Sequence, residues 1–434
     1  MIKGFSKLSK VEKIDYIIER YFHDNDNQKN LLKNFWHEDE NLQKTLDEFS
    51  ENTISNFIFP YGVVPNFVLN NETLMVPMVI EESSVVAALS KASKFWATRG
   101  GFKSEVINTQ KVGQVHFITH ADKSKVERFF SEHKSTLIAL ASSLSESMEK
   151  RGGGLEDIKL IDLTDKEAGY YQLFATFQTC DAMGANYINT ILEALGRYIN
   201  ERFKPIDSDI QIVMCILSNY TPNCIVRSWV ECHVSELEVP SHHMSGADFA
   251  RKIVRAVKIA KIDPYRATTH NKGIFNGVDG VVLATGNDFR AVEACGHAYA
   301  SRAGQYSSLT SASFDEDSGM FRFEIELPLS LGTVGGLTKL HPLANFSLKL
   351  LGDPSAAKLM SIAATVGLAQ NFAALRSLVT SGIQKGHMKM HLMNILNQLE
   401  ANDSEKDHIK NLFNDKVVSF NDVKEAISDL RSLS

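Results

Sequence analysis

Cysteine is sparse, with five in 434 residues (Cys180, Cys215, Cys224, Cys232, Cys295), and no two stand in CxxC spacing. That scatter excludes a disulfide framework and points to reduced thiols and a cytoplasmic location. No apolar run approaches the ~20 residues of a membrane helix, and the start, Met1-Ile2-Lys3-Gly4-Phe5, has no apolar signal core. Charge of one sign is lacking too: 46 basic against 52 acidic residues leave a net −6. A nucleic-acid-binding surface is therefore not expected, and an anionic ligand must be met by local positive groups. No GxGxxG follows any predicted strand, which argues against a standard Rossmann site.

What is present is an ordinary globular composition, 44% hydrophobic and 23% charged, on a chain long enough for two or three folding units. Val11, Ile14, Ile17, Ile18 and Tyr21 stand at helical spacing near the start. Phe57 to Val79 reads as strands punctuated by Gly62, Pro65 and the Asn70-Asn71 turn, and Ser84 to Trp96 as a helix, closed by Gly100-Gly101. Between Ser104 and Ser218 the pattern alternates. Strands are expected at Val112 to Thr119, Lys159 to Leu163, Tyr170 to Gln178 and Asp209 to Leu217. One long helix is expected over Lys125 to Met148 and another opening at Asp181. This describes an α+β unit inserted into a larger domain. A helix over Pro354 to Val379, capped by Asp353-Pro354, is rich in alanine and reads as buried and central. Short helices such as Asp422 to Leu433 follow.

Four short motifs carry chemistry. Asp181-Ala182-Met183-Gly184-Ala185-Asn186 places a glycine at a helix start, where free N–H groups suit a pyrophosphate; a capped, tightly packed helix is the plain alternative. His270-Asn271-Lys272-Gly273 sets an ammonium among amides and glycine, aimed at an oxygen or simply solvated. Gly286-Asn287-Asp288 follows an expected strand, Val281 to Ala284, so its carboxylate serves either catalysis or a turn. Glu81-Glu82-Ser83-Ser84 follows the strand Val76 to Ile80; Glu82 is either held partly out of water and protonated, or a helix cap. Farther on, Gly382 and Gly386 bracket a hinge that could carry His387 in and out of a site. His387 and His391 have the spacing of zinc ligands but lack a third partner, so no metal is expected.

In this order the motifs resemble those of the hydroxymethylglutaryl-coenzyme A (HMG-CoA) reductase family. The likeness runs through Glu51-Asn52-Thr53-Ile54, Val76 to Ala88, Asp181 to Ala194, Asp263 to Gly273, Ala284 to Tyr306 and Gly367 to His387. It covers Ser9 to about His391, and it is closest to the bacterial-type class II. The resemblance implies an α+β fold. A large mixed α/β substrate domain (1–105 and 219–378) carries an inserted, ferredoxin-like, non-Rossmann cofactor domain (106–218) and a mobile helical C-terminal flap (379–434). It implies two hydride transfers that turn HMG-CoA into mevalonate and CoA, through a hemithioacetal and mevaldehyde, for isoprenoid synthesis. Glu82, Lys272, Asp288 and His387 would be the catalytic set. Lys272 would stabilise the carbonyl oxygen, Asp288 hold the lysine, Glu82 donate a proton, and His387 protonate the departing thiolate.

The same carry-over gives Arg266 the substrate carboxylate, with Ser84, Asn276, Gln370 and Asn219 hydrogen-bonding the HMG part; the resemblance leaves the CoA contacts open, and Lys7 near the N-terminus is a candidate for a phosphate. Asp181, Met183, Gly184 and Asn186 would line NADPH or NADH. A homodimer, or a larger even assembly, with the site at its interface is implied. Two departures stand out. Where an NADH-using member carries an aspartate, counting back from Gly152 reaches Ser145, which leans towards NADPH. Ser83 replaces a frequent proline. The same enzyme working oxidatively on mevalonate, and a CoA-binding protein without redox activity, are the rival readings.

Overall fold

The computed structural model of the chain describes residues 2–22, 25–239, 243–380, 382, 392–413 and 418–432. Three helices come first: α1 (Lys10–Tyr21), α2 (Asn25–Lys33) and α3 (Glu40–Asp47). Ser9 and Glu12 start α1 with reciprocal side-chain-to-backbone bonds. Its buried stripe is narrower than the spacing suggests, since Ile14 and Ile18 are buried while Val11 and Tyr21 face solvent.

A hairpin follows, β1 (Tyr61–Leu69) against β2 (Glu72–Val79). It turns at Asn70 and Asn71, with φ of 48° and 68°, the left-handed pair that a tight hairpin turn requires. Register slips between Val64 and Phe67, at Pro65, which cannot donate to the ladder. Helix α4 (Val85–Ala97) packs on this hairpin.

The next unit runs β4 (Lys111–Ile118), α5 (Lys123–Ser143), α6 (Glu146–Glu149), β5 (Gly154–Asp162), β6 (Tyr170–Gln178), α7 (Ala185–Phe203) and β7 (Gln211–Ser218). Its sheet has the order β5-β6-β4-β7 and is antiparallel throughout, the β-α-β-β-α-β arrangement of a ferredoxin-like unit. Its core, from Val115 to Ile210, is separate from the main one. The long helix expected to Met148 stops earlier, because the Ser145 hydroxyl turns back onto the Ala141 carbonyl at 2.7 Å and a short second helix begins there.

The larger core is built on a second antiparallel sheet of four strands, in the order β3-β8-β10-β9. These are β3 (Lys103–Val106), β8 (Ile225–His233), β9 (Thr310–Phe314) and β10 (Met320–Pro328). Around it lie α8 (Gly246–Ile262), α9 (Pro264–Ala284), α10 (Phe289–Ala300), α11 (Leu337–Leu340), α12 (Pro342–Leu350) and α13 (Ala356–Val379). Helix α13 alone, among the described residues, has the length and composition to cross a membrane, contrary to the reading of its run as too short. It is the central core helix: residues 359–372 are all buried. Helices at 392–398, Asp403–Leu412 and Phe420–Ser432 share a third small core.

Two other expectations are corrected. Val281 to Ala284 is no strand; it is the last turn of α9, where Val281 and Val282 are fully buried. A short apolar run does not distinguish the two states by itself. The α13 cap is Ser355, whose hydroxyl accepts from Lys358 N, while Asp353 lies outside the helix with φ 49°.

Candidate active site

Helix α9 begins with Asp263, whose carboxylate accepts from Tyr265 N at 3.1 Å, and with Pro264 in its first turn. The motif 270–273 is therefore helical, and Lys272, Asn276 and Asp279 recur at i, i+4 and i+7 on one face. Gly277 lets α13 come close: a Cβ there would stand 2.8 Å from the Val366 carbonyl and 2.9 Å from Gln370 Cβ.

Lys272 Nζ donates to Glu82 Oε2, which sits in the turn between β2 and α4. These two predicted residues meet within one chain, with the lysine side chain 59% exposed. Glu82 is thus an ion-pair partner, not a helix cap. Ser84 begins α4 in the left-handed region, φ 75°, without a side-chain cap bond. A non-glycine residue held there costs about 1–3 kcal/mol, a strain that gathers at working sites.

Farther along the same face of α9 stands Asp279. Burial, with Glu293 and then Glu81 beside it, pushes its pKa up to about 8. Sequence reading passed over it, and the available signal was its spacing from Lys272. Asp288 lies apart from the lysine among the described contacts. It is the cap of α10, accepting from Arg290 N at 3.1 Å and Ala291 N at 3.2 Å. Its role of holding Lys272 within one chain is not what these contacts provide.

Arg266 is half-buried in the first turns of α9, forms no ion pair among the described residues, and has its pKa lowered by burial. Gln370 is buried, and its Oε1 has no hydrogen-bond partner among the described residues. Both are open offers, one for an anion and one for a donor. Asn276 is half-buried on the lysine face.

The turn before α7 differs from expectation. Asp181 does not open the helix: Ala185 does, after Gly184 at φ 96° with no side-chain cap. That leaves the first N–H groups of α7 without a capping side chain. Asp181 instead reaches across, its Oδ1 accepting from Ala356 N at 2.7 Å and its carbonyl from Thr333 N at 2.9 Å. Gly332 presses on the same turn, since a Cβ would lie 2.6 Å from Met183 N. Its own N–H donates to Asn287 Oδ1 at 2.8 Å, next to Asp288. Met183 and Asn219 line one cavity with Lys111, Ser330 and Ala291, and Asn186 is exposed.

Ser145 is corrected. It is 1% exposed, and its hydroxyl bonds to the Ala141 carbonyl and to Tyr187 OH at 2.8 Å. It presents no group to a ligand. Lys7 lies in a short N-terminal turn, exposed, with no contact that recommends it. His387, with Gly386 and His391, lies outside the described residues. All five cysteines are free.

The family model for hydroxymethylglutaryl-coenzyme A reductase matches residues 11–392. An Archaeoglobus fulgidus protein named 3-hydroxy-3-methylglutaryl-coenzyme A reductase is 34% identical, covering 99% of this chain and 95% of its own. A probable enzyme of the same name from Borreliella burgdorferi is 35% identical over 84% of this chain and 83% of its own. The class II reductase of Streptococcus pneumoniae, solved bound to NADPH in open conformations, superposes with a TM-score of 0.72 at 37% identity, covering 87% of this chain and 99% of that one. Another structure of the pneumococcal enzyme covers 99% of both chains at 36% identity. Matched by the family model over residues 11–392 and superposing on the pneumococcal class II enzyme over 99% of that chain, the chain belongs to the hydroxymethylglutaryl-coenzyme A reductase family, in its class II branch.

Proposed function

We propose that the chain reduces HMG-CoA to mevalonate and CoA with Lys272 as the charge that stabilises the carbonyl oxygen. The observation that carries this is the Lys272–Glu82 pair, formed between two distant motifs. When bound, a reduced nicotinamide dinucleotide supplies the two hydrides. As hydride reaches the thioester carbon, negative charge gathers on its oxygen, and the ammonium of Lys272 faces it. Glu82, which accepts from that ammonium, would relay a proton taken from it to the second alkoxide, with solvent restoring the proton to the lysine. Asp279, two turns along α9 from Lys272, holds its own proton against Glu293 and Glu81 and so adds no further negative charge to that face. His387 is assigned the thiolate's proton, and Asp288 the completion of the cluster.

Arg266 would pair with the substrate carboxylate. Gln370, with Asn276, Ser84 and Asn219, would bond its hydroxyl and carbonyl oxygens. Asp181, Met183, Gly184 and Asn186 form the turn assigned to the dinucleotide. NADPH is favoured as the reductant on the likeness to the pneumococcal enzyme solved with NADPH; Ser145, buried and turned inward, takes no part in the choice. The parts fall into a large domain, an inserted cofactor domain and a C-terminal flap, working as a cytoplasmic homodimer.

The test is Lys272→Ala, read as the loss of NADPH absorbance on adding HMG-CoA. Turnover should fall at least ~10³-fold with the far-ultraviolet circular dichroism unchanged. A folded variant that keeps a tenth of its rate would end the oxyanion role.

A further inference from the structure

Lys111 opens β4, and its side chain is almost wholly inside, 3% exposed. Its Nζ lies 2.6 Å from Thr179 Oγ1 and 3.4 Å from the Ala182 carbonyl. Thr179 gives its own hydroxyl proton to that carbonyl at 2.6 Å, so the lysine is the donor to the threonine oxygen. No carboxylate pairs with Lys111 among the described residues. Burial disfavours its charged form, opposed by the Cys224 and Cys180 thiols and by Asp181.

A buried cation without a counter-ion is costly, and an apolar side chain of similar length would make a more stable protein. Its position shows what the charge does. Lys111 and Thr179 grip the Thr179–Gly184 turn from beneath. Gly184 closes on Thr179 so tightly that a Cβ would fall 2.5 Å from the methyl. From the other side Gly332 packs on Met183 N, and Lys111, Met183, Asn219 and Ser330 line one cavity. The turn is thus clamped on both sides, with a positive charge under the uncapped start of α7.

We infer that Lys111 is a positioning residue for the dinucleotide: it fixes the Thr179–Gly184 turn and lends that turn the positive potential that an anionic diphosphate needs. This rests on the assignment of the turn to the cofactor. The charge is retained at a cost to the ligand-free protein because the ligand supplies the missing negative partner.

The experiment compares wild type with Lys111→Met and Lys111→Gln. NADPH affinity is titrated by the fluorescence of the bound cofactor, alongside the KM of each substrate and the Tm without ligand. Lys111→Met should weaken NADPH binding about tenfold or more, the range of one charge-assisted contact. The KM for HMG-CoA should stay within about twofold, and the ligand-free Tm should hold or rise. Lys111→Gln, which keeps a donor for Thr179, should also lose affinity if charge is what matters. Unchanged affinity in either variant overturns the inference. So does a joint fall of Tm and of both substrates' binding, the mark of a merely structural lysine. If wild type itself fails to oxidise NADPH with HMG-CoA, the functional reading fails instead, independently of Lys111.

Discussion

At Asp279 one carboxyl oxygen is fully enclosed without a partner, while Glu293 and Glu81 stand close. The folded protein therefore keeps this proton up to about pH 8, while the unfolded chain releases it near 3.8. Between those values the native state binds more protons, so stability from this group is present below pH ~4, declines as pH rises, and levels off above 8. Asp279→Asn keeps a donor for Glu293 without that dependence. Its Tm relative to wild type should rise between pH 5 and pH 8, and a difference equal at both pH values would contradict the assignment. Residue chemistry was only partly legible beforehand. Lys272 and Glu82 were named through the family resemblance of their motifs, since residue chemistry alone left each with a plain alternative; the two side chains do meet. Asp279 could not be named, since its proton is set by carboxyls on other elements. Ser145 misled because counting along the chain says nothing of which way a hydroxyl points.

Among the elements, the crossing of α9 and α13 sets the site's geometry. Gly277 on one helix faces the Val366 carbonyl, and Gly367 on the other would place a Cβ 2.7 Å from Val278. Gly277→Ala must push apart backbone and not merely a flexible side-chain end. It should lower stability by about 1–3 kcal/mol in denaturant melts. Activity should fall as well, because Gln370 and Asn276 stand at the contact; an unchanged melt and rate would show that the helices have room. Elements with a clear period were well read: β6 spans Tyr170–Gln178 as expected, and the hairpin turns at its asparagines. The valine run 281–282 was misread because burial against neighbouring helices, not strand preference, fixes it. The start of α7 was placed early because an aspartate before small residues looks like a cap; here Asp181 serves a different helix.

For the whole molecule, the α+β class was readable from strand and helix order, whereas the antiparallel pairing of β4 to β7 was not, because strand spacing carries no pairing direction. The proposed homodimer would need a surface to pair on. Phe57 is 87% exposed, Ile58 67% and Tyr265 89%, large apolar side chains left in solvent by the single chain. Light scattering should give twice the chain mass. Phe57→Glu with Ile58→Glu should yield a folded monomer with little turnover. A fully active monomeric variant would place the whole site within one chain.

The bond from Asp181 to Ala356 joins the turn assigned to the dinucleotide to the first residue of a 24-residue helix, a strut roughly 36 Å long. The same rigid member carries Gln370 through the middle of the larger core, so a displacement of the turn would be felt by the whole rod and not by its first residue alone.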